Sequence, residues 1–137
     1  MASKWWASAE FKRRLAKLPA SVLKKTNEAI KTNAEEWVRD AQSMAPVDPK
    51  DGVFLKPSIR HYESETGGQI IRAGGETTTK TMSDGTKGDY AVYQEFGTID
   101  FNANPFFWPA YRFNKKRFSS RRRRAMNKAV KDFSNGK

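Results

Sequence analysis

Few residues in this chain have the type and setting that catalysis needs. His61 is the single histidine, set in Arg60-His61-Tyr62-Glu63, which reads as a strand. General-base work needs partners held in geometry, and no motif around His61 supplies them, so a solvated strand histidine is the reading. Glu35 and Glu36 are neighbours in a helical pattern and project apart, so they are no carboxylate pair. Glu95 stands among aromatics in Tyr90-Ala-Val-Tyr-Gln-Glu-Phe-Gly-Thr98. An acid so placed beside Gly97 can bond backbone amides across a turn, which makes it a structural anchor rather than a catalyst. Gly67-Gly68 and Gly74-Gly75 form no phosphate loop, because no Gly-Lys-Ser/Thr follows and no strand-to-helix unit frames them. The absence of cysteine excludes thiol nucleophiles, disulfide frameworks and Cys-based zinc sites. No catalytic residue, cofactor or metal site is predicted.

The strongest signal is electrostatic. The 137 residues carry 26 Lys+Arg and 15 Asp+Glu, a net charge of +11. Residues 1–60 hold 12 basic and 7 acidic side chains, residues 61–110 hold 3 and 7, and residues 111–137 hold 11 and 1. An acidic middle and a basic end can attract each other between copies, or the basic end can contact nucleic acid. Arg121-Arg122-Arg123-Arg124 with Lys115, Lys116 and Arg117 is the densest cluster and the candidate contact for DNA or a partner. Four consecutive residues sweep around a helix, so this is not one groove-reading face. Phosphate contact, a solvated helix, and pairing with an acidic neighbouring subunit all remain open. No helix-turn-helix, zinc-finger or RNP-type motif is present.

The elements that must position these residues follow from periodicity. Ser3–Leu18 predicts a short helix, with Trp6, Phe11, Leu15 and Leu18 on one face, ended by Pro19. Val22, Thr26, Ile30, Ala34, Trp37, Ala41 and Met44 recur at steps of three or four and predict a long helix from Ala20 to Met44. Pro46 stops it and pushes Ala45 out of helical geometry. Asp48-Pro49-Lys50-Asp51-Gly52 is turn chemistry. Leu55–Tyr62 reads as a strand with an irregular start at Pro57, Gly67-Gly68 as a hairpin turn, and Gln69–Ala73 as a second strand. Thr-rich Glu76–Met82 fits an exposed ribbon or projecting hairpin arm, with Ser83–Asp89 a loop. Tyr90–Phe96 fits a short strand or a helical turn. Phe101, Phe106, Phe107, Trp108, Tyr111 and Phe113 crowd around Pro105 and Pro109 and read as a core plug. A basic helix then runs from the Pro109 turn to about Phe133. The fold class is α+β: N-terminal helices, a central antiparallel sheet, as a small barrel or sandwich, with a projecting hairpin, and a C-terminal amphipathic helix. The length favours one domain, divided as 1–19, 20–45, a β-rich 53–104 with an extended loop 75–89, and 105–134. No apolar run approaches a membrane span of roughly 20 residues, so no membrane contact is expected. Met1–Trp6 lacks an apolar signal core.

Three stretches in this order resemble a known family. The first is Ala45-Pro46-Val47 followed by Gly52, Leu55-Lys56 and Ser58-Ile59. The second is Tyr90-Ala91 followed by Glu95-Phe96-Gly97-Thr98, and the third is Asn104-Pro105-Phe106-Phe107 followed by Pro109-Ala110. Together they are similar to the gene-product-ten-like family of HK-type lambdoid phages, tail components of tailed phages, over about Ala20 to Phe133. Asp51-Gly52 stands where that family has Thr-Gly, and Val53 and Phe54 lengthen the linker. The resemblance implies a structural virion protein at the neck or tail, assembled in the bacterial host cytoplasm. Its role would be head–tail joining or tail completion, as a ring of copies around the DNA channel. The implied partners are connector or stopper rings and tail-tube or tail-terminator proteins, with duplex DNA in the channel. The alternative is a basic nucleic-acid-binding protein acting alone.

Overall fold

The computed structural model describes residues 19–47 and 54–135, together with Ala9 and Arg13. The helix expected over Ser3–Leu18 lies outside the described residues except for Ala9 and Arg13, both helical. The Asp48–Gly52 turn also lies outside them.

Helix α1 spans Ala20–Met44. Pro19 precedes it with extended geometry, and its carbonyl accepts the N–H groups of Val22 and Leu23. At the other end Ala45 turns extended, as a residue before proline must. Helix α2 is one turn, Leu55–Ser58. Strand β1 (Arg60–Glu63) pairs antiparallel with β2 (Gln69–Arg72), Arg60 opposite Arg72 and Glu63 opposite Gln69. A 3-10 turn at Glu76–Thr78 leads into β3 (Thr79–Thr81), which pairs antiparallel with β4 (Lys87–Asp89). Helix α3 covers Tyr90–Phe96 and helix α4 covers Phe107–Ser134.

Helices α1 and α4 pack antiparallel. Lys25 meets Asp132 at one end, and Trp37 meets Phe107 at the other. Small residues line the contact: Ala29 and Ala34 on α1, Ala110 and Ala129 on α4 are all buried. The core lies where α2, α3 and the corner before α4 meet the end of α1. Ala41, Ala45, Leu55, Ile59, Ala91, Phe106 and Ala110 form it, with Trp37, Val38, Ala73, Tyr90 and Phe107 packed against it. Phe106, fully buried, alone contributes about 3 kcal/mol of apolar transfer.

The α+β class stands, with four differences of detail. The strands form two separate two-stranded ribbons, not a barrel or sandwich. Gly74, Gly75 and the 3-10 turn interrupt the chain between β2 and β3, and the second hairpin does not pair with the first. Leu55–Ser58 is helical rather than extended, because Pro57 falls in a first turn, where its missing N–H costs nothing. The Thr-rich stretch supplies one strand of a hairpin, but the other, Lys87–Asp89, comes from the stretch expected to be a loop, and Thr78 at the base is buried. The aromatic plug is reduced to Phe106, with Phe107 packed against the core, since Phe101, Trp108 and Phe113 are exposed. Among the described residues no helix is long and apolar enough to cross a membrane.

Candidate interaction surface

Two acids organise the corner between α3 and α4. Asp89 caps α3: its Oδ1 accepts the Ala91 N–H (2.9 Å) and the Thr78 hydroxyl (2.7 Å), while Oδ2 accepts the Gly75 N–H (3.1 Å). This carboxylate ties the base of the second hairpin to α3. Gly74, at φ +87°, is held against it, and a Cβ there would lie 2.4 Å from Asp89 Oδ2. Glu95 closes the other side. Its Oε2 accepts the N–H groups of Phe106 (2.8 Å) and Phe107 (2.9 Å), and Oε1 accepts that of Trp108 (3.0 Å). These amides open α4 and have no partner within the helix. The aromatic side chains there offer no cap, so an acid from eleven residues upstream supplies one, where negative charge also favours the helix dipole.

The loop between the two helices is equally determined. Gly97 sits at φ +76°, and a Cβ there would meet the Ala103 nitrogen at 2.7 Å. Thr98 Oγ1 accepts the N–H groups of Asp100 and Phe101, and the Asn104 N–H reaches the Gln94 carbonyl at 2.7 Å. The outcome is a rigid corner with apolar side chains on its outside. Val92, Phe96 (67% exposed), Trp108 and the fully exposed Ile99 stand out. A shallow groove of about 240 Å³ runs beside α3, between Ile71 and Ala73 of the first hairpin side and Val92, Phe96 and Trp108.

Beneath the corner, Trp37 of α1 stacks obliquely on Phe107 and Tyr111, with ring centroids 4.9 and 4.8 Å apart. Its indole N–H donates to the Phe107 carbonyl at 2.9 Å. Further along, polar side chains join the two helices. Arg121 donates to Glu36 Oε1 at 2.8 Å and to Asn33 Oδ1 at 2.7 Å. Arg117 lies 2.9 Å from Glu36 Oε2, a second ion pair on the same carboxylate. Asn114 donates to Asp40 at 2.7 Å. The Arg121 hydrogen bond holds the Glu36 carboxyl below its usual range against the opposing effect of burial, with the charges of Arg121 and Arg117 adding to it.

The seven cations singled out in the sequence therefore divide. Arg117 and Arg121 are engaged with Glu36, and Arg121 is three-quarters buried. Lys115, Lys116, Arg122, Arg123 and Arg124 are exposed. Of the motif residues, Ala45 lies in the core while Pro46 is half-buried and Val47 exposed. Ser58 is buried, donates to the Leu55 carbonyl at 2.5 Å and accepts the Gly74 N–H at 3.0 Å. Tyr90 packs on the core and accepts from Gln94 Nε2 at 2.6 Å. Pro105 is exposed, and Pro109 occupies the first turn of α4. Gly52 lies outside the described residues. His61 contacts Gln69 Oε1 through Nδ1 at 2.9 Å and forms no ion pair with an acid among the described residues. Among the described residues no three His, Asp or Glu side chains gather as a metal site.

Sequence reasoning passed over Asp89, Asp40 and the pairing of Glu36. Asp89 carried a readable signal, an Asp placed as N-cap directly before Tyr90–Phe96. The other two carried none, because their partners lie 74 to 85 residues away.

A family model described as "Bacteriophage HK97-gp10, putative tail-component" matches residues 9–97. The match takes in α1, both hairpins and α3, and ends before Phe106 and the basic helix α4. No curated protein and no solved structure matches the chain.

Proposed function

Because this chain belongs to the HK97-gp10-like family of bacteriophage tail components, we propose that it is a head–tail joining or tail-completion subunit that works by docking. Copies of the chain assemble as a ring around the DNA channel, one face toward the connector and the other toward the tail tube. The observation that carries this reading is the corner held by Asp89 and Glu95. Its carboxylates, Glu95 buried and Asp89 half-buried, are spent on backbone amides and the Thr78 hydroxyl, and beside the exposed polar residues of its loop it presents four apolar side chains to solvent: Val92, Phe96, Trp108 and Ile99. A rigid surface bearing aromatic side chains suits the centre of a protein–protein contact. A ring repeats one heterologous contact between different patches of adjacent copies. The acidic middle and the basic end give the two patches opposite sign.

The test is co-assembly. The chain, mixed with connector and tail-tube proteins of the same phage, is expected to sediment as a collar visible by electron microscopy. Phe96→Ser with Ile99→Ser should leave thermal unfolding nearly unchanged, since both side chains are exposed, yet abolish the collar. A chain that stays monomeric with every such partner, or a double variant that assembles normally, refutes the reading. Stand-alone nucleic-acid binding, the alternative, draws its support from the exposed cations of α4.

A further inference from the structure

Helix α4 carries ten basic residues and one acid over 28 positions. The structure sorts them by direction. At 100° per residue, Ala110, Asn114, Phe118 and Ala129 form the buried face. On the opposite side Arg112, Lys116, Ser120, Arg123 and Asn127 follow one another at steps of four, four, three and four, and all five are exposed. The four-arginine run is thereby split: Arg121 turns inward to Glu36 and Asn33, Arg123 faces outward, and Arg122 and Arg124 flank it.

We infer that this outer row of α4 is a binding surface for the phosphate backbone of duplex DNA, read without base sequence. Three features favour nucleic acid over an acidic protein surface. Between Arg112 and Asn127 the row has no apolar or aromatic member, and the exposed apolar side chains nearest it, Phe113 at its edge and Val130 beyond Asn127, stand far apart along the helix instead of forming the patch that centres a protein interface. Its side chains are Arg, Lys, Ser and Asn, the types that donate to phosphate oxygens. Arg112, Lys116 and Arg123 have no ion-pair partner among the described residues. The row extends for about 23 Å along the helix axis, long enough to follow several phosphates of one strand. No residue of it requires the ring, so the inference stands apart from the assembly reading.

The experiment is fluorescence anisotropy of the full chain with a labelled random-sequence duplex, between about 50 and 200 mM salt. The triple variant R112Q/K116Q/R123Q is compared with K24Q/K31Q/K56Q, which removes the same charge from exposed lysines elsewhere. The outer-row variant is expected to lose about 2.7 from the slope of log affinity against log salt, about 0.9 per phosphate contact, and at least about tenfold in affinity at low salt. The control should lose less than one unit of slope. Should the triple variant melt early, R123Q alone carries the test, with about 0.9 less slope. Equal losses in both triple variants would reduce the effect to net charge and overturn the inference. So would absence of DNA binding by the wild-type chain, or tighter binding to poly-glutamate than to DNA at the same salt. None of these outcomes touches collar formation, and a collar that forms or fails leaves the DNA titration to be read on its own.

Discussion

Replacing Glu95 by alanine removes the cap of α4 from a site that has no substitute. Phe106 is fully buried, so its N–H, now bonded at 2.8 Å, would lose its acceptor in a place closed to water. An unsatisfied buried donor costs about 1–3 kcal/mol. The Phe107 and Trp108 amides are nearer the surface, and their loss resembles ordinary cap removal, about 1 kcal/mol together. Withdrawing the negative charge from the helix terminus adds about 0.5 kcal/mol. The sum is about 2.5–4.5 kcal/mol, a large part of the roughly 5–15 kcal/mol that stabilises a domain. Glu95→Gln keeps one acceptor for Phe106 and Phe107 but turns an NH2 group toward the Trp108 amide, and should cost about half as much. Urea unfolding followed by tryptophan fluorescence measures both, with Trp37 and Trp108 reporting on the corner. The midpoint should fall at constant slope, with Glu35→Ala, exposed on α1, within about 0.5 kcal/mol of wild type. A loss below about 1 kcal/mol for Glu95→Ala would show that water or another group satisfies the Phe106 amide, and would refute the argument.

Two further predictions rest on the same approach. Glu36 has its carboxyl held below the usual 4.5, chiefly by the Arg121 hydrogen bond. A depressed folded-state value gives stability that is present above the unfolded value and lost as pH falls through the folded one. The Glu36 contribution should therefore be level above about pH 5.5 and decline below about 4.5, and Glu36→Gln should flatten that part of a pH series of unfolding midpoints while costing about 1 kcal/mol at neutral pH. Gly97→Ala forces a side chain into positive φ and a Cβ to within 2.7 Å of the Ala103 nitrogen; it should cost about 1–3 kcal/mol, and an unchanged urea midpoint would mean the loop can shift at no cost.

Much of the local structure was legible in the residue order. The apolar recurrence from Val22 to Ala41, bounded by Pro19 and Pro46, sets helix α1 at Ala20–Met44. Gly67 closes the first hairpin at φ +90°, the Thr-rich stretch gives one strand of the second, and the charge is concentrated where α4 lies. These features depend on neighbours three or four residues apart, or on one backbone angle, and a linear reading contains both.

What only the tertiary structure decided depends on pairs distant in the chain. That Glu95 serves three amides of α4 and that Asp89 ties a hairpin to α3 follow from how the chain folds around α3, and that Arg121 is taken up by Glu36 while Arg123 is left outside is a result of packing α1 against α4. Residue type says that each group can bond and carry charge. Only the rotation of one helix against another says which of four adjacent arginines finds a carboxylate and which remain free for a partner.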